Sequence, residues 1–419
     1  MKSRIQLYYL LSSLVLLRGL FWTFNLENLV KLLCEGIIFI WFFLEVSKSR
    51  QEILLKAAPF AIAFSYLLWT GLISLVFNES ILEYYLYSRY FILGFLMMLI
   101  CFNSNSLKRL MRSFLKSIDF FVFVQFIACL ILFLSLGRLE RYVGTMSSSG
   151  GSLATVWPLT FAPFFFLRYV VRGRRLDLFL LITLIFMGFA SGKRAVYFLI
   201  PVSIFTILIF YLGWGNLLKS KKSFIRVIYS VVFLFVFLLL GISGTESLSQ
   251  SNGFSLKSIS TAISYAGEYS NQESAINGES IGRSGSTFNT INGLFNKGNV
   301  LFGNGLKSLK GEISFSKYDV GYGITGLIRE LISLGLVGGL LYLLFFVSLF
   351  LRLRSMRSRI LKFHYDSDLF WIWILAGTGL VAILITYVGY SRVFSQTLNP
   401  LIFIMMCVGI SENGVRGKS

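Results

Sequence analysis

Apolar residues along this chain come in long runs separated by polar breaks, and those runs define the expected elements. They recur near residues 7–24, 29–46, 53–77, 84–102, 114–136, 152–171, 176–190, 195–213, 225–243, 322–350, 369–389 and 398–411. An α-helix needs about 20 such residues to cross a hydrocarbon layer of about 30 Å. The pattern therefore predicts an all-α polytopic membrane protein with about twelve transmembrane helices. Most connections are short. The exception is 244–321, rich in Ser, Asn and Gly and free of Pro and Cys, and so long a connection is usually functional. The chain thus divides into helices over 1–243, a loop over 244–321 and further helices over 322–419. Within the loop, Phe288, Ile291, Leu294 and Phe295 recur at helical spacing and predict a short amphipathic helix lying on the membrane surface.

Composition strengthens the membrane reading. Hydrophobic residues make up 56% of the chain and charged residues only 14%, against an apolar share of about 45–50% in soluble domains. The net charge of +20 raises the question of nucleic acid. Sorted onto the predicted helices, however, the excess gathers in segments of one side, among them Lys108, Arg109, Arg112, Arg172, Arg174, Arg175, Lys221, Lys222, Arg352, Arg354, Arg357 and Arg359. That is the bias expected of cytoplasmic loops. It predicts both termini in the cytoplasm, 244–321 outside, and no nucleic-acid partner. Lys2 and Arg4 precede the first run as in a signal sequence, but Arg18 interrupts it and no small-residue cleavage site follows, so it reads as an uncleaved anchor. The four cysteines all fall in predicted helices, which speaks against a disulfide framework.

The cations that escape this bias carry more information. Arg138, Arg141, Lys193, Arg194, Arg283 and Arg392 fall on the expected outer face, and Arg18, Arg89 and Arg329 fall near that face within predicted helices. Singly, each reads as a side chain snorkelling to the interface. Together they describe an outward-facing cationic cavity. Arginine forks match phosphate oxygens, so a lipid-tailed anion such as a pyrophosphate carrier suits that cavity. The stretch LFGNGLKSLKGEISFSKYDVGYGITGLIRELISLGLVGGL, residues 301–340, brings Asp319, Arg329 and Glu330 to the start of one apolar helix. Ionisable groups there are usually kept for an ion path, a substrate or a partner.

Other chemistries find little support. The single histidine, His364, falls in a basic loop on the expected cytoplasmic side, and no metal or cofactor is expected. GKR at 192–194 lacks the remaining residues of a P-loop. GNG at 303–305 reads as a turn, and Lys31 and Glu35, four residues apart on one helix, read as a mutually neutralising pair.

The chain resembles the Wzy-type O-antigen and capsule repeat-unit polymerases, relatives of the O-antigen ligases. The resemblance rests on FGNGLKS, YDVGYG and LGLVGGLLYL, with SGKR between two helices and the stretch from Arg141 to Met146 in support. It implies a GT-C-like fold in the bacterial cytoplasmic membrane. It also implies transfer of a glycan from its undecaprenyl-pyrophosphate carrier onto a second carrier-linked repeat unit, with a chain-length regulator protein as a further partner. On this reading Asp319 serves as general base, with Glu330 either competing for that role or orienting a cation. Arg138, Arg141, Lys193, Arg194, Arg283, Arg329 and Arg89 hold pyrophosphate, and Tyr318 and Tyr322 stack on sugars. The bland reading of Asp319 is a helix N-cap. Ligases of this superfamily carry a histidine where this chain has Lys317, Tyr318 and Asp319, which favours polymerase over ligase. A lipid-linked oligosaccharide flippase or an ion-coupled carrier is the alternative from another class.

Overall fold

The computed structural model describes residues 26–46, 58–102, 107–136, 153–190, 195–208, 299–307, 325–362, 367–389 and 398–416, together with 225, 228–229, 232 and 294–295. Every element among them is helical. In chain order these are α1 (Glu27–Val46), α2 (Ala58–Val76), α3 (Ile81–Phe102), α4 (Leu107–Leu136), α5 (Leu153–Arg172) and α6 (Arg175–Ala190). There follow α7 (Ala195–Ile207), α8 (Gly326–Ser355), α9 (Arg357–Lys362), α10 (Asp368–Gly389) and α11 (Leu398–Arg416). Among the described residues five segments are long and apolar enough to cross a membrane: Ala58–Val76, Ile81–Phe102, Phe114–Leu134, Gly326–Leu361 and Asp368–Val388. The protein is a helical membrane protein. The predicted span at 7–24, and most of that at 225–243, lie outside the described residues.

The helices begin and end close to where the apolar runs do. The last is longer than expected, continuing to Arg416. Its polar tail is accommodated because Ser411 Oγ donates back to Cys407 O at 2.8 Å and Asn413 Nδ2 donates to Cys101 O at 3.1 Å. These bonds satisfy polar groups that lipid would not.

The helix α10 lies at the centre of the described bundle, with 89% of its apolar window buried. Leu75 and Ile81, at the α2–α3 turn, are 78% and 86% exposed, as side chains facing lipid should be. Gly409 of α11 sits against the backbone carbonyl of Met98 on α3, a close approach that membrane helices obtain from small residues.

One end of the bundle is basic. There Arg112 of α4 meets Asp368 of α10 at 3.7 Å, and Arg352 of α8 meets Glu412 of α11 at 2.9 Å. Arg172 lies over the Trp371 ring, 4.8 Å from its centroid. Nearby, and more deeply, Arg168 of α5 is 3% exposed and bonds both Asp119 of α4, at 2.7 Å, and Asp177 of α6. Three helices thus share one buried ion cluster. The opposite end holds the α2–α3 turn, residues 299–307 and the start of α8.

Candidate functional site

The start of α8 follows from its sequence. Thr325 is the N-cap, its hydroxyl accepting from Ile328 N at 3.3 Å. Gly326 presses against the Tyr387 ring, so closely that a Cβ would overlap it, and the first turn of α8 is thereby set onto the end of α10. Arg329 and Glu330 enter the protein from this turn.

Glu330 is 1% exposed. Its Oε2 accepts two hydrogen bonds, from Tyr66 OH of α2 at 2.9 Å and from Tyr87 OH of α3 at 3.0 Å. Arg329 lies over the same Tyr87, its guanidinium carbon 4.3 Å from the ring centroid. Tyr87 therefore meets the carboxylate with its hydroxyl and the cation with its face. Tyr342 stands edge-on to Tyr66 at 5.2 Å and tilted to Tyr387 at 4.7 Å. The hydroxyls of Tyr342 and Tyr387 are buried without a hydrogen-bond partner among the described residues. Reckoned along α3 from Ile81 and along α2 from Val76, the cluster lies about 9–15 Å inside the turn at 1.5 Å per residue. Burying opposite charges together lowers the cost of burying either, and removing one partner exposes the full penalty.

Above this cluster α8 is broken. Gly335 has φ 69° and ψ −170°, a region open essentially to glycine alone, so the helix divides into 326–334 and 336–355. A break inside a membrane frees backbone groups that lipid cannot satisfy. Residues 299–307 satisfy them. Asn304 N donates to Ile332 O at 2.9 Å, Gly305 N to Ser333 O at 3.1 Å, and Leu336 N to Val300 O at 2.8 Å. Trp69 Nε1 takes Leu334 O at 2.9 Å, and its ring stacks on Phe302 at 5.4 Å. The loop is also fastened to the α2–α3 turn. Lys307 Nζ pairs with Glu83 at 2.7 Å, and Lys307 N donates to Glu79 at 2.9 Å. GNG at 303–305 is a bend between two turns, with positive φ at both glycines. It is one that fits into another helix.

A second cluster lies on another face of α3. Glu35 of α1 accepts from Tyr85 OH at 2.7 Å and stands 4.0 Å from Arg89. Arg89 donates to Tyr90 OH at 2.5 Å and covers the Tyr90 ring at 4.5 Å. Lys31 lies over that ring at 5.5 Å. The expected Lys31–Glu35 neutralisation gives way to partners on α3, because side chains reaching across from a neighbouring helix meet the carboxylate at shorter range. Arg89 and Arg329 consequently belong to different clusters rather than to one cationic lining.

Of the other expected site residues, Arg138, Arg141, Lys193, Arg194, Arg283, Tyr318, Asp319 and Tyr322 lie outside the described residues, as do Arg18 and Arg392. Leu294 and Phe295 are helical as expected. Leu294, however, is buried against Ile328 and Ile332 of α8, where a surface helix would have met lipid. Tyr66, Tyr87, Tyr342 and Tyr387 were not anticipated. A polar hydroxyl in each of four apolar helical stretches was the available signal. No three His, Cys, Asp or Glu side chains gather as metal ligands among the described residues. No family model matches the sequence, and no curated protein matches it significantly.

Proposed function

We propose that this protein is a GT-C-like membrane glycosyltransferase that joins undecaprenyl-pyrophosphate-linked oligosaccharide repeat units into an O-antigen or capsular polysaccharide. On this reading the chain crosses the bacterial cytoplasmic membrane about twelve times. The basic end faces the cytoplasm, both termini lie there, and 244–321 lies outside. The observation that supports the proposal is the closure of the two stretches on which the resemblance to the polymerases rests, FGNG and LGLVGG, onto one another through Gly303 and Gly335. They join above the buried Glu330 and the Arg329 that lies over Tyr87, at the end opposite the basic one.

The reaction requires an acceptor hydroxyl to attack the anomeric carbon of the donor sugar. The new glycosidic C–O bond forms as the bond from that carbon to the pyrophosphate oxygen breaks. The hydroxyl proton passes to a base, and undecaprenyl pyrophosphate departs. We assign the base to Asp319. The burial of Glu330, with both tyrosines donating to one of its oxygens, suits a positioning residue that fixes Tyr87 and through it Arg329. Fixed cations among Arg138, Arg141, Lys193, Arg194, Arg283 and Arg329 stabilise the leaving pyrophosphate, while Arg89 is engaged with Glu35 and Tyr90 in the separate cluster. Tyr318 and Tyr322 receive sugars, and a chain-length regulator is the protein partner.

A flippase or ion-coupled carrier is the second reading, and the broken helix favours it, since carriers build their sites at such breaks. Against it, the carbonyls of Ile332, Ser333 and Leu334 and the amide of Leu336 are already taken by protein groups. Deletion of the gene followed by electrophoresis of surface glycan tests the assignment. Loss of the polymerase leaves a single repeat unit at the surface. Loss of a flippase or ligase leaves none, and that result would reject the proposal.

A further inference from the structure

We propose that the polar cluster between α1 and α3 binds the phosphodiester of a membrane lipid headgroup, with Lys31 and Arg89 as its ligands. Lys31, Glu35, Tyr85, Arg89 and Tyr90 form one polar cluster on two otherwise apolar helices. Lys31 pairs with no carboxylate of the described residues, and its ammonium rests on the Tyr90 ring. The buried Arg89 Nε has no hydrogen-bond partner among the described residues, whereas Glu35, 4% exposed, keeps its Oε1 4.0 Å from the same guanidinium. A buried guanidinium donor left without an acceptor is rare in folded proteins and points to an unfilled acceptor position beside it.

The charges define the ligand. Two cations and one carboxylate leave a single positive charge, which a monoanionic phosphodiester neutralises; a pyrophosphate would bring an excess of negative charge beside Glu35. Position defines the source. Leu32 and Leu33 of α1, 64% and 51% exposed, and Leu82 of α3, also 64% exposed, border the cluster with surface suited to acyl chains. Lys31 stands one turn into α1, about 6 Å from its start, the level at which a headgroup meets the hydrocarbon. The Tyr90 hydroxyl, which accepts from Arg89 and keeps its own proton, adds a neutral donor at an interface where tyrosine is favoured. This inference does not depend on the proposed reaction, and it removes Arg89 from the pyrophosphate ligands.

The test uses the purified full chain in neutral detergent, following its thermal unfolding midpoint during titration with phosphatidylglycerol, phosphatidylethanolamine, diacylglycerol or inorganic phosphate. Both phosphodiester lipids should raise the midpoint, whereas diacylglycerol and inorganic phosphate should not. Lys31→Ala should weaken the apparent lipid affinity about ten-fold, the equivalent of about 1.4 kcal/mol. Lys31→Arg, which keeps the charge, should restore it, and that comparison separates binding from any folding defect. An unchanged lipid response in Lys31→Ala would overturn the proposal. Equal shifts with diacylglycerol would show that acyl chains alone are read, and equal shifts with inorganic phosphate would show a soluble-anion site; either would overturn it too.

Discussion

Gly303 and Gly335 meet backbone to backbone: a Cβ on Gly303 would stand 2.5 Å from Gly335 N and 2.6 Å from Ser333 O. The contact lets a loop enter a broken helix and take over its hydrogen bonds. Gly335→Ala should therefore act on the conformation and on the contact together. The backbone region alone costs about 1–3 kcal/mol, and the new methyl would collide with the Leu301 carbonyl. A lowered unfolding midpoint, with protease cleavage appearing near 299–307, is the expected result. An unchanged midpoint would mean that the break is not maintained.

Tyr66→Phe removes a hydrogen bond to a buried carboxylate and should cost about 1.5–3 kcal/mol. Glu330→Gln removes the charge that both tyrosine hydroxyls serve and should cost about 1.5–3 kcal/mol. Since both changes act on one bond, the double variant should lose less than the sum. Denaturant unfolding of the four proteins measures the coupling, and simple additivity would show that the bond contributes nothing.

Asp319→Asn retains capping ability but not basicity. If Asp319 is the base, polymer formation should fall by about 10²–10⁴-fold while the amount of protein stays level. Surface glycan electrophoresis beside an immunoblot gives both quantities. Normal polymer with Asn, and reduced protein with Ala, would identify a cap.

At the basic end, Arg168→Ala strands the buried Asp177 and deprives the half-buried Asp119 of its cation, and should destabilise the protein by about 3–5 kcal/mol. Asp119 is 28% exposed at its side chain against 0% for Asp177. Asp177→Ala should therefore be the more damaging of the two acid replacements, as unfolding midpoints can establish.

Orientation is tested by single cysteines at Ser251 and Ser358. An impermeant thiol reagent applied to intact cells should label the first and spare the second, which is exposed on α9 at the basic end. Labelling in the opposite sense would invert the topology and with it the proposed outer site.

The helices were legible because apolar length is a local property, readable without knowing any neighbour. The start of α8 was legible for the same reason, through Thr325, Arg329 and Glu330. The break at Gly335 was not, since LGLVGG is as apolar as the helix on either side, and only the arrival of residues 299–307 makes a positive φ favourable there. Nor was the partnership of Glu330 with Tyr66 and Tyr87, which lie 264 and 243 residues away. Lys31 and Glu35 show the converse: a spacing that predicts a local pair is overruled when α3 brings Tyr85, Arg89 and Tyr90 alongside. Arg168, Asp119 and Asp177 are scattered singly through apolar helices, and nothing in one dimension reveals that they converge.

The break in α8 also bears on how the protein is assembled. A straight α8 would satisfy its own carbonyls at Ile332 and Ser333, so the helix and residues 299–307 compete for the same acceptors. The loop and its other anchors, Trp69, Glu79 and Glu83, are synthesised before α8. In the folded protein the carbonyls of Ile332 and Ser333 are bonded to residues 299–307 and not within α8, so the break in the helix and the seat of the loop form one arrangement, and neither can be altered without the other.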